Sequence, residues 1–386
     1  MKIIWVNPSF LDYRIPVYKK LYQYTEGNFY IIFSTKRTPV RVIEKIQNEI
    51  GKNAICFEGE KRLIIGENEG MSNKWIQIPF TRGLCKRINK INADIIIAEG
   101  FFQWTPHAIR CSFLRKKPLL ISYERTKHTE RNCPKWRTLY RKLVDKFTTG
   151  YLCNGILTKE YLEELGIDKD KIFIGGMSAD SKGLVTNISN MSVSDKESMK
   201  KELNINYGIT FLYVGQLIER KGLKYLLSAW KKHIIDYPSD CLLIVGGGTL
   251  YDSFIAEFSD IKGIKFTGNI DYNNVYKYYA IADVFIIPTL EDNWSLVVPE
   301  AMACGLPVAC SIYNGCYPEL IKEGVNGKLF DPLKEESILE TLSFFLNKDL
   351  KKMGMNSQKI EKEFSADKVA HNIYETCMHV IDTHKT

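Results

Sequence analysis

Apolar residues along this chain follow two rhythms. Short runs rich in β-branched and aromatic residues alternate with longer stretches in which apolar positions recur at helical spacing. That alternation predicts parallel sheets joined by crossover helices. In the first half, KIIWVN (2–7), FYIIFST (29–35), DIIIAEG (94–100), PLLISYE (118–124), GYLCN (150–154) and KIFIGG (171–176) read as strands. In the second half, ITFLYVG (209–215), CLLIVGG (241–247), IKFTGN (264–269), DVFIIPT (283–289) and LPVACS (306–311) do the same. The predicted fold class is α/β, with one doubly wound, Rossmann-like sheet per half. Between the halves, residues 178–203 are poor in large apolar residues and rich in Ser, Asn, Asp and Lys, which predicts a linker. The expected division is a first domain over 1–190, a linker over 191–207, a second domain over 208–365 and a C-terminal helix over 366–386, free to pack back across the domains. Open parallel sheets present ligands beyond the carboxyl ends of their strands, so the chemistry is expected in a cleft between the two sheets.

Composition narrows the class. The 386 residues are 45% hydrophobic and 25% charged, as in globular domains. Runs such as DIIIA (94–98) and CLLIV (241–245) fall far short of the ~20 residues of a spanning helix, which excludes an integral membrane protein. The opening MKIIWVNPSF is interrupted by a Pro and polar residues before an export leader's apolar core could form, which predicts a cytoplasmic protein. Ten Cys without any C-x-x-C pair, several inside apolar runs, read as reduced thiols. The net charge of +8 hides a split, with 32 Lys+Arg against 19 Asp+Glu in residues 1–190 and 21 against 26 in residues 191–386. The first half is therefore expected to face something anionic, a membrane surface or a nucleic acid. Within it, residues 125–147 carry eight Lys/Arg against Glu130 and Asp145, interleaved with Trp136, Tyr140 and Phe147. This mixture suits an anionic leaflet or a phosphate-linked lipid, where each near-surface charge is worth about 1 kcal/mol, and it would also suit a nucleic acid or an ordinary solvated basic helix beside the linker. The acidic second half argues against nucleic acid.

The most pointed chemistry lies in PTLEDNWSLVVPEAMACGLPVACS (288–311). Ser295 suits a helix N-cap, and Pro299 is tolerated in a first turn. The amides of Ser295, Leu296 and Val297 would then form an anion site fit for a diphosphate. Glu300, one turn in, could accept hydrogen bonds from a vicinal diol such as a ribose. Asp292, beside Asn293 and Trp294 on the preceding loop, could reach a second polyol such as a sugar ring. By spacing alone, the same residues would also serve as an ordinary loop-to-helix turn.

The whole string resembles the donor-site signature of glycosyltransferase family 4, a family of retaining enzymes with the GT-B fold. Its pattern is a Glu, seven residues, a second Glu and A-M-A-x-G-x-P-V. EAMACGLPVA at 300–309 matches residue for residue, while Asp292 stands for the leading Glu, with Glu291 beside it as the alternative. FLYVGQLIERKGLKYLL (211–227) resembles the family's G-R-L-x-x-x-K-G segment, with Lys221 at the Lys position, Gln216 where Arg is usual, and Arg220 as a neighbouring cation. Gly268, Asn269 and Ile270 match the turn that offers backbone groups to the nucleobase. VGGGTL (245–250) reads as a tight strand exit. These echoes run through about 209–332 in the family's order. In the first half, NPSFLDYRIPVYKKL (7–21) lacks the family's Gly-Gly pair, and Asp12, Tyr13 and Arg14 are the substitutes expected to face an acceptor. Glu124 stands where the family presents a His, with His128 four residues on, and Glu99 and His107 lie at and after another strand end.

The resemblance implies transfer of a sugar, of hexosyl type, from a nucleotide-sugar to a hydroxyl of a glycan or lipid-linked glycan with retention, in bacterial surface polysaccharide biosynthesis. The first domain would bind the acceptor, through Asp12, Tyr13, Arg14, Glu99, His107 and His128, and the second the donor. Lys221 with Arg220 would neutralise the departing diphosphate. Glu300 would hold the ribose, Asp292 the sugar, and Glu124 would orient or stabilise an oxocarbenium-like sugar. No cofactor and no metal are expected. Asp168-Lys169-Asp170 has the form of a metal-binding Asp-x-Asp but sits where turn chemistry favours Asp. Peripheral association with the inner face of the cell membrane is expected. The rival readings are a GT-B nucleotide-sugar epimerase or hydrolase and a non-enzymatic nucleic-acid-binding protein.

Overall fold

The computed structural model describes residues 1–65, 76–205 and 208–385, which form two compact units, Met1–Asp180 with Phe364–Thr386, and Ser181–Glu363. The first unit runs β1 (Ile3–Val6), α1 (Ile15–Tyr24), β2 (Phe29–Ser34), α2 (Val40–Ile50), β3 (Ala54–Phe57), β4 (Glu60–Ile65), β5 (Ile76–Thr81), α3 (Leu84–Ile91), β6 (Ile95–Glu99), α4 (Thr105–Arg115), β7 (Leu119–Tyr123), α5 (Lys135–Asp145), β8 (Gly150–Cys153), α6 (Ile156–Glu164) and β9 (Ile172–Ile174). Its sheet has the order β3-β2-β1-β6-β7-β8-β9, with all neighbours parallel. All four residues of β1 are buried, because both faces of the sheet are covered. Ile3 and Trp5 join a core with α1, α2 and the C-terminal helix, while Ile4 and Val6 point the other way onto α3 and α4, as strand alternation requires.

The second unit opens with α7 (Lys182–Ser189) and α8 (Val193–Glu202), then alternates β10 (Thr210–Val214), α9 (Leu223–Asp236), β11 (Cys241–Val245), α10 (Tyr251–Phe258), β12 (Ile264–Gly268), α11 (Tyr272–Ile281), β13 (Val284–Ile287), α12 (Val297–Ala303), β14 (Val308–Ser311), α13 (Tyr317–Leu320) and β15 (Gly327–Phe330) before α14 (Glu335–Phe345) and α15 (Leu350–Glu361). Its sheet order is β12-β11-β10-β13-β14-β15. The C-terminal helix α16 (Ala366–Lys385) returns to the first unit, where Val369, Ile373 and Cys377 join the core that holds Trp5 and Leu21.

Both sheets obey one plan. The first strand sits beside the second and the fourth of the parallel series, so strand order reverses between β1 and β6 and between β10 and β13. The crevice beyond the carboxyl ends at such a reversal is where open α/β sheets take ligands.

Most of the stretch expected to be a linker is instead helical, in α7 and α8, and belongs to the second unit from Ser181 on, while residues 206–207 lie outside the described residues. Polar composition does not prevent a helix when its ends are tied. The Ser192 hydroxyl accepts the Asp195 amide at 3.1 Å and Asp195 accepts the Ser192 amide at 2.9 Å, a reciprocal capping box. α7 and α8 both lie against α11, so the unit boundary falls at 180 and not at 190. The hairpin β4–β5 and the strands β3 and β15 were not expected. All ten cysteines are free thiols, and no described helix is long and apolar enough to cross a membrane.

Candidate functional site

In the second unit, glycines let the loops beyond the strand ends touch backbone to backbone. A Cβ on Gly246 would lie 2.0 Å from the Gly215 carbonyl oxygen, and one on Gly222, at φ 66°, would lie 2.1 Å from that of Pro288, so no larger residue fits either position. Gly222 ends a 3-10 turn, Glu219–Lys221, and the Arg220 carbonyl accepts the Leu290 amide at 2.9 Å and the Thr289 hydroxyl at 3.2 Å. The loop after β10 is thus stitched to the loop after β13, across the point where strand order reverses.

That stitching sets two cations beside one buried carboxylate. Asp292 receives an ion pair from Lys221 Nζ, a 2.7 Å hydrogen bond from Ser295 Oγ and a 3.2 Å bond from the Trp294 amide, and Arg220 Nη1 stands 3.8 Å away. Burial alone would raise the Asp292 carboxyl, but Lys221, Ser295 and Arg220 hold it below its ordinary value. Asn314 braces the loop from β14, its Oδ1 accepting the Ser295 amide at 3.2 Å and the Cys316 thiol at 3.2 Å, while Gly315 donates to the Asp292 carbonyl at 2.9 Å.

Two expectations change here. Ser295 does not cap the helix: the position before α12 is Leu296, because the Ser295 hydroxyl is drawn to Asp292. The Ser295 amide is likewise taken by Asn314, leaving the Leu296 and Val297 amides without a hydrogen-bond partner among the described residues. Between Glu291 and Asp292, it is Asp292 whose carboxylate receives Lys221, while Glu291 accepts Arg220 Nη1 at 3.2 Å through its backbone carbonyl.

Glu300, only 8% exposed, is held by two phenols on α11, Tyr272 donating to Oε1 at 3.1 Å and Tyr279 to Oε2 at 3.2 Å. Burial, reinforced by Glu300, pushes the Tyr279 hydroxyl well up, so it remains a donor. Gln216 is exposed and meets Tyr213 through its carbonyl, at 2.8 Å. Gly268 adopts φ 71°, and the side chain of the following Asn269 lies against Gly247; Ile270, next in the turn, is half-buried. Asn293 is half-buried and Trp294 buried.

The first unit builds its own charged cluster at its own reversal. Arg14, buried at the end of the 3-10 turn Asp12–Arg14, forms an ion pair with Glu124, just beyond β7, and lies 3.5 Å from Glu99 Oε1 at the end of β6. Trp5 Nε1 donates to Glu99 Oε2 at 3.0 Å, and Ser122 Oγ to Oε1 at 3.5 Å. Burial pushes the Glu99 carboxyl up to about 7, against the pull of Arg14 and with that of Glu124. Arg14 also lies 5.7 Å from the ring centres of Trp5 and Tyr13, and burial lifts the Tyr13 hydroxyl to about 12. Trp5, Arg14, Ser122, Glu124, Asn154 and Gly176 line an open pocket.

Two residues expected alongside them turn to other partners. Asp12 turns to Arg41 at 2.8 Å. His107 sits on α4 with Nε2 2.7 Å from Thr81 Oγ1 and Nδ1 3.3 Å from Cys85, and burial lowers its pKa. The His128 carbonyl accepts Arg131 Nη1 at 2.5 Å. Asp168 accepts the Asp170 amide at 3.1 Å and caps a turn. Among the described residues, no group of three or more His, Cys, Asp or Glu is placed to hold a metal ion.

Both Lys221 and Asp292, with Glu300 after them, lie in a segment with known relatives. Residues 194–362 match the family described as glycosyl transferases group 1. An uncharacterised glycosyltransferase of Methanocaldococcus jannaschii is 28% identical over 203 residues, 50% of this chain and 51% of that one. The chain spans about half the length of the curated relatives it matches. Among solved structures, the Anabaena protein Alr3699/HepE in complex with UDP superposes with a TM-score of 0.76 at 16% identity, covering 98% of this chain and 100% of that one. A glycosyltransferase from Rickettsia africae does so with a TM-score of 0.73 at 16% identity, covering 98% of each. The fold is therefore GT-B, with two Rossmann-like units.

Proposed function

We propose that the protein is a glycosyltransferase that takes its sugar from a nucleoside-diphosphate sugar bound on the second unit. The observation that carries the reading is the convergence of Lys221 and Arg220, from the loop after β10, on Asp292, from the loop after β13, with Glu300 on the helix that follows. A departing nucleoside diphosphate gains negative charge in the transition state. Lys221, Arg220 and the Leu296 and Val297 amides are assigned to meet it, which leaves Asp292 to turn its carboxylate to sugar hydroxyls. Glu300, prepared as an acceptor by two phenols, is assigned the ribose diol. The Anabaena protein's complex with UDP supports the choice of a diphosphate.

Transfer is read as retaining and front-face. The bond between C1 and the leaving phosphate oxygen breaks, the acceptor oxygen bonds C1 on the same face, and the acceptor proton passes to that phosphate oxygen. The acceptor is read as a glycan or lipid-linked glycan hydroxyl of a bacterial surface polysaccharide pathway, and Glu124 is assigned an electrostatic role in the transfer. Because protein cations neutralise the diphosphate in this reading, turnover is expected in the presence of a metal chelator. The test is to incubate the protein with a panel of nucleotide-sugars and a mixture of glycan acceptors, and to follow the anomeric proton of the product by NMR. A new glycoside with the donor's anomeric configuration supports the reading. An inverted glycoside refutes retention, and free sugar or an epimer formed without acceptor refutes transfer.

A further inference from the structure

The helices of the first unit differ sharply between the two faces of the sheet. On one face, α3, α4 and α5 carry nine Lys and Arg (Lys86, Arg87 and Lys90, Arg110 and Arg115, and Lys135, Arg137, Arg141 and Lys142) and a single acid, Asp145. That acid already accepts the Tyr151 hydroxyl at 3.0 Å. On the other face, α1, α2 and α16 carry six basic residues and five acids, with exchanges such as Lys19–Glu49 at 2.7 Å and Lys20–Asp367 at 2.8 Å. The basic face is also where large apolar side chains stand in solvent. On α5 and just beyond it, Trp136 is 46% exposed, Leu139 72%, Leu143 52% and Phe147 47%; at the end of α4, Phe113 is 72% and Leu114 61% exposed. Trp136, Leu139 and Leu143 follow helical spacing and share one side of α5. α4 and α5 are neighbours in this layer, since Ile109 packs into the cores beneath both and Phe102 stacks on Tyr140 at 5.0 Å. Exposed Lys135, Lys142 and Lys146 flank the apolar side of α5, and exposed Arg110, Arg115 and Lys116 surround Phe113 and Leu114. None of these six has an acidic partner among the described residues. The next helix, α6, joined to α5 by the 3.1 Å bond from Arg141 to the Tyr161 hydroxyl, turns acidic with Glu160, Glu163 and Glu164 and marks the border of the patch.

We propose that this α4–α5 face docks on an anionic phospholipid surface, with Trp136, Leu139, Leu143, Phe147, Phe113 and Leu114 entering the headgroup layer and the surrounding lysines and arginines meeting lipid phosphates. The geometry is that of an interfacial helix, apolar along one side with basic residues at its margins. Long basic side chains reach outward along apolar surface to keep their charges at the phosphates, and Trp favours the interface. Charge selects the occupant. A second copy of this chain would set one basic face against another, and a neutral partner would leave unpaired cations across three consecutive helices. The inference stands apart from the nucleotide reading, because lipid docking needs no nucleotide.

The experiment is co-sedimentation of the full chain with vesicles of phosphatidylcholine, with and without phosphatidylglycerol, at low and high salt. Two variants accompany it, Leu139→Gln/Leu143→Gln and Lys135→Gln/Lys142→Gln/Lys146→Gln, each checked for unchanged thermal unfolding. Binding is expected to require phosphatidylglycerol, to weaken with salt, and to fall more than tenfold in either variant, since each near-surface lysine contributes about fivefold to partitioning. Trp136 emission should shift to the blue on vesicles, and the shift should vanish in Trp136→Phe. The proposal is overturned if the folded protein ignores anionic vesicles, if it binds pure phosphatidylcholine equally, or if the variants bind like the parent. It is also overturned if light scattering shows a dimer that Leu139→Gln/Leu143→Gln dissolves. Nucleotide affinity measured on the same samples separates a failure here from a failure of the donor site.

Discussion

The two units solve one topological problem with opposite charge arithmetic. Each places charged side chains beyond the carboxyl ends of its strands where strand order reverses. In the second unit, two cations, Lys221 and Arg220, attend one carboxylate, and Asp292 is held below its ordinary value. In the first, one cation, Arg14, attends two carboxylates, and burial lifts Glu99 to about 7. An excess of cations favours an incoming anion such as a diphosphate. An excess of buried acid holds a proton, and it favours neutral hydroxyl groups over anions. The same fold thus carries opposite counts of charge at equivalent places in its two units.

Removing the cation from each cluster should break this contrast most severely. Lys221→Ala leaves Asp292 buried with only the more distant Arg220, and is expected to lower stability by about 3 kcal/mol and to abolish detectable nucleotide binding. Adding Asp292→Asn should restore most of the stability, read by urea unfolding, without restoring the binding. Arg14→Met leaves Glu99 and Glu124 facing each other. Its loss should likewise be about 3 kcal/mol at pH 8 but markedly smaller at pH 5, where Glu99, lifted to about 7, holds a proton.

The pH dependence of the parent protein sharpens the contrast. Glu99 is lifted from 4.5 to about 7, so between these values the folded chain binds more protons than the unfolded one, and stability falls as pH rises through that window. Arg14, Glu124, Trp5 and Ser122 all face this carboxyl. Glu99→Gln should flatten that slope by on the order of 1–3 kcal/mol across pH 4.5–7. Asp292 has the opposite sign: its contribution is complete above the ordinary carboxylate range and is lost as the pH falls through its lowered value. Chemical denaturation at closely spaced pH values resolves both limbs. A smaller effect is expected from Tyr279→Phe, which removes one hydrogen bond to Glu300 and should cost about 1–2 kcal/mol while weakening nucleotide binding a few-fold. The smallest should come from Gln216→Arg, which adds a cation at an exposed position and should tighten diphosphate binding by roughly threefold, as an exposed charge worth under 1 kcal/mol would.

What could be read in the sequence, and what could not, follows from range. Eleven strands were visible because continuous apolar runs such as DIIIAEG and CLLIVGG need no partner to be recognised. β3, with AICF, and β15, with GKLF, escape notice because each is a short apolar stretch set between polar and turn-forming residues, in GKNAICFEGE and VNGKLFDP. The helix α8 was missed because it buries no residue and owes its start to the local Ser192–Asp195 box. The motif around Asp292 and Glu300 was legible as a string, yet its supports were not. Tyr272 and Tyr279 reach Glu300 from 28 and 21 residues away and look like ordinary helix aromatics. Local chemistry allows Ser295 to cap the helix, but the carboxylate of Asp292, three residues back, takes its hydroxyl instead. In the first unit, Arg14 meets Glu124 across 110 residues, a pairing that only the sheet order creates.

The measurement that bears most directly on the charge arithmetic is calorimetric titration of the protein with UDP, in buffer containing a metal chelator, for the parent, Lys221→Ala and Arg14→Met. Saturable binding by the parent, lost in Lys221→Ala and within threefold of the parent in Arg14→Met, a difference below about 1 kcal/mol, is the predicted result. Equal loss in both variants, or binding that survives Lys221→Ala, would contradict the assignment of the anion site to the cation-rich cluster.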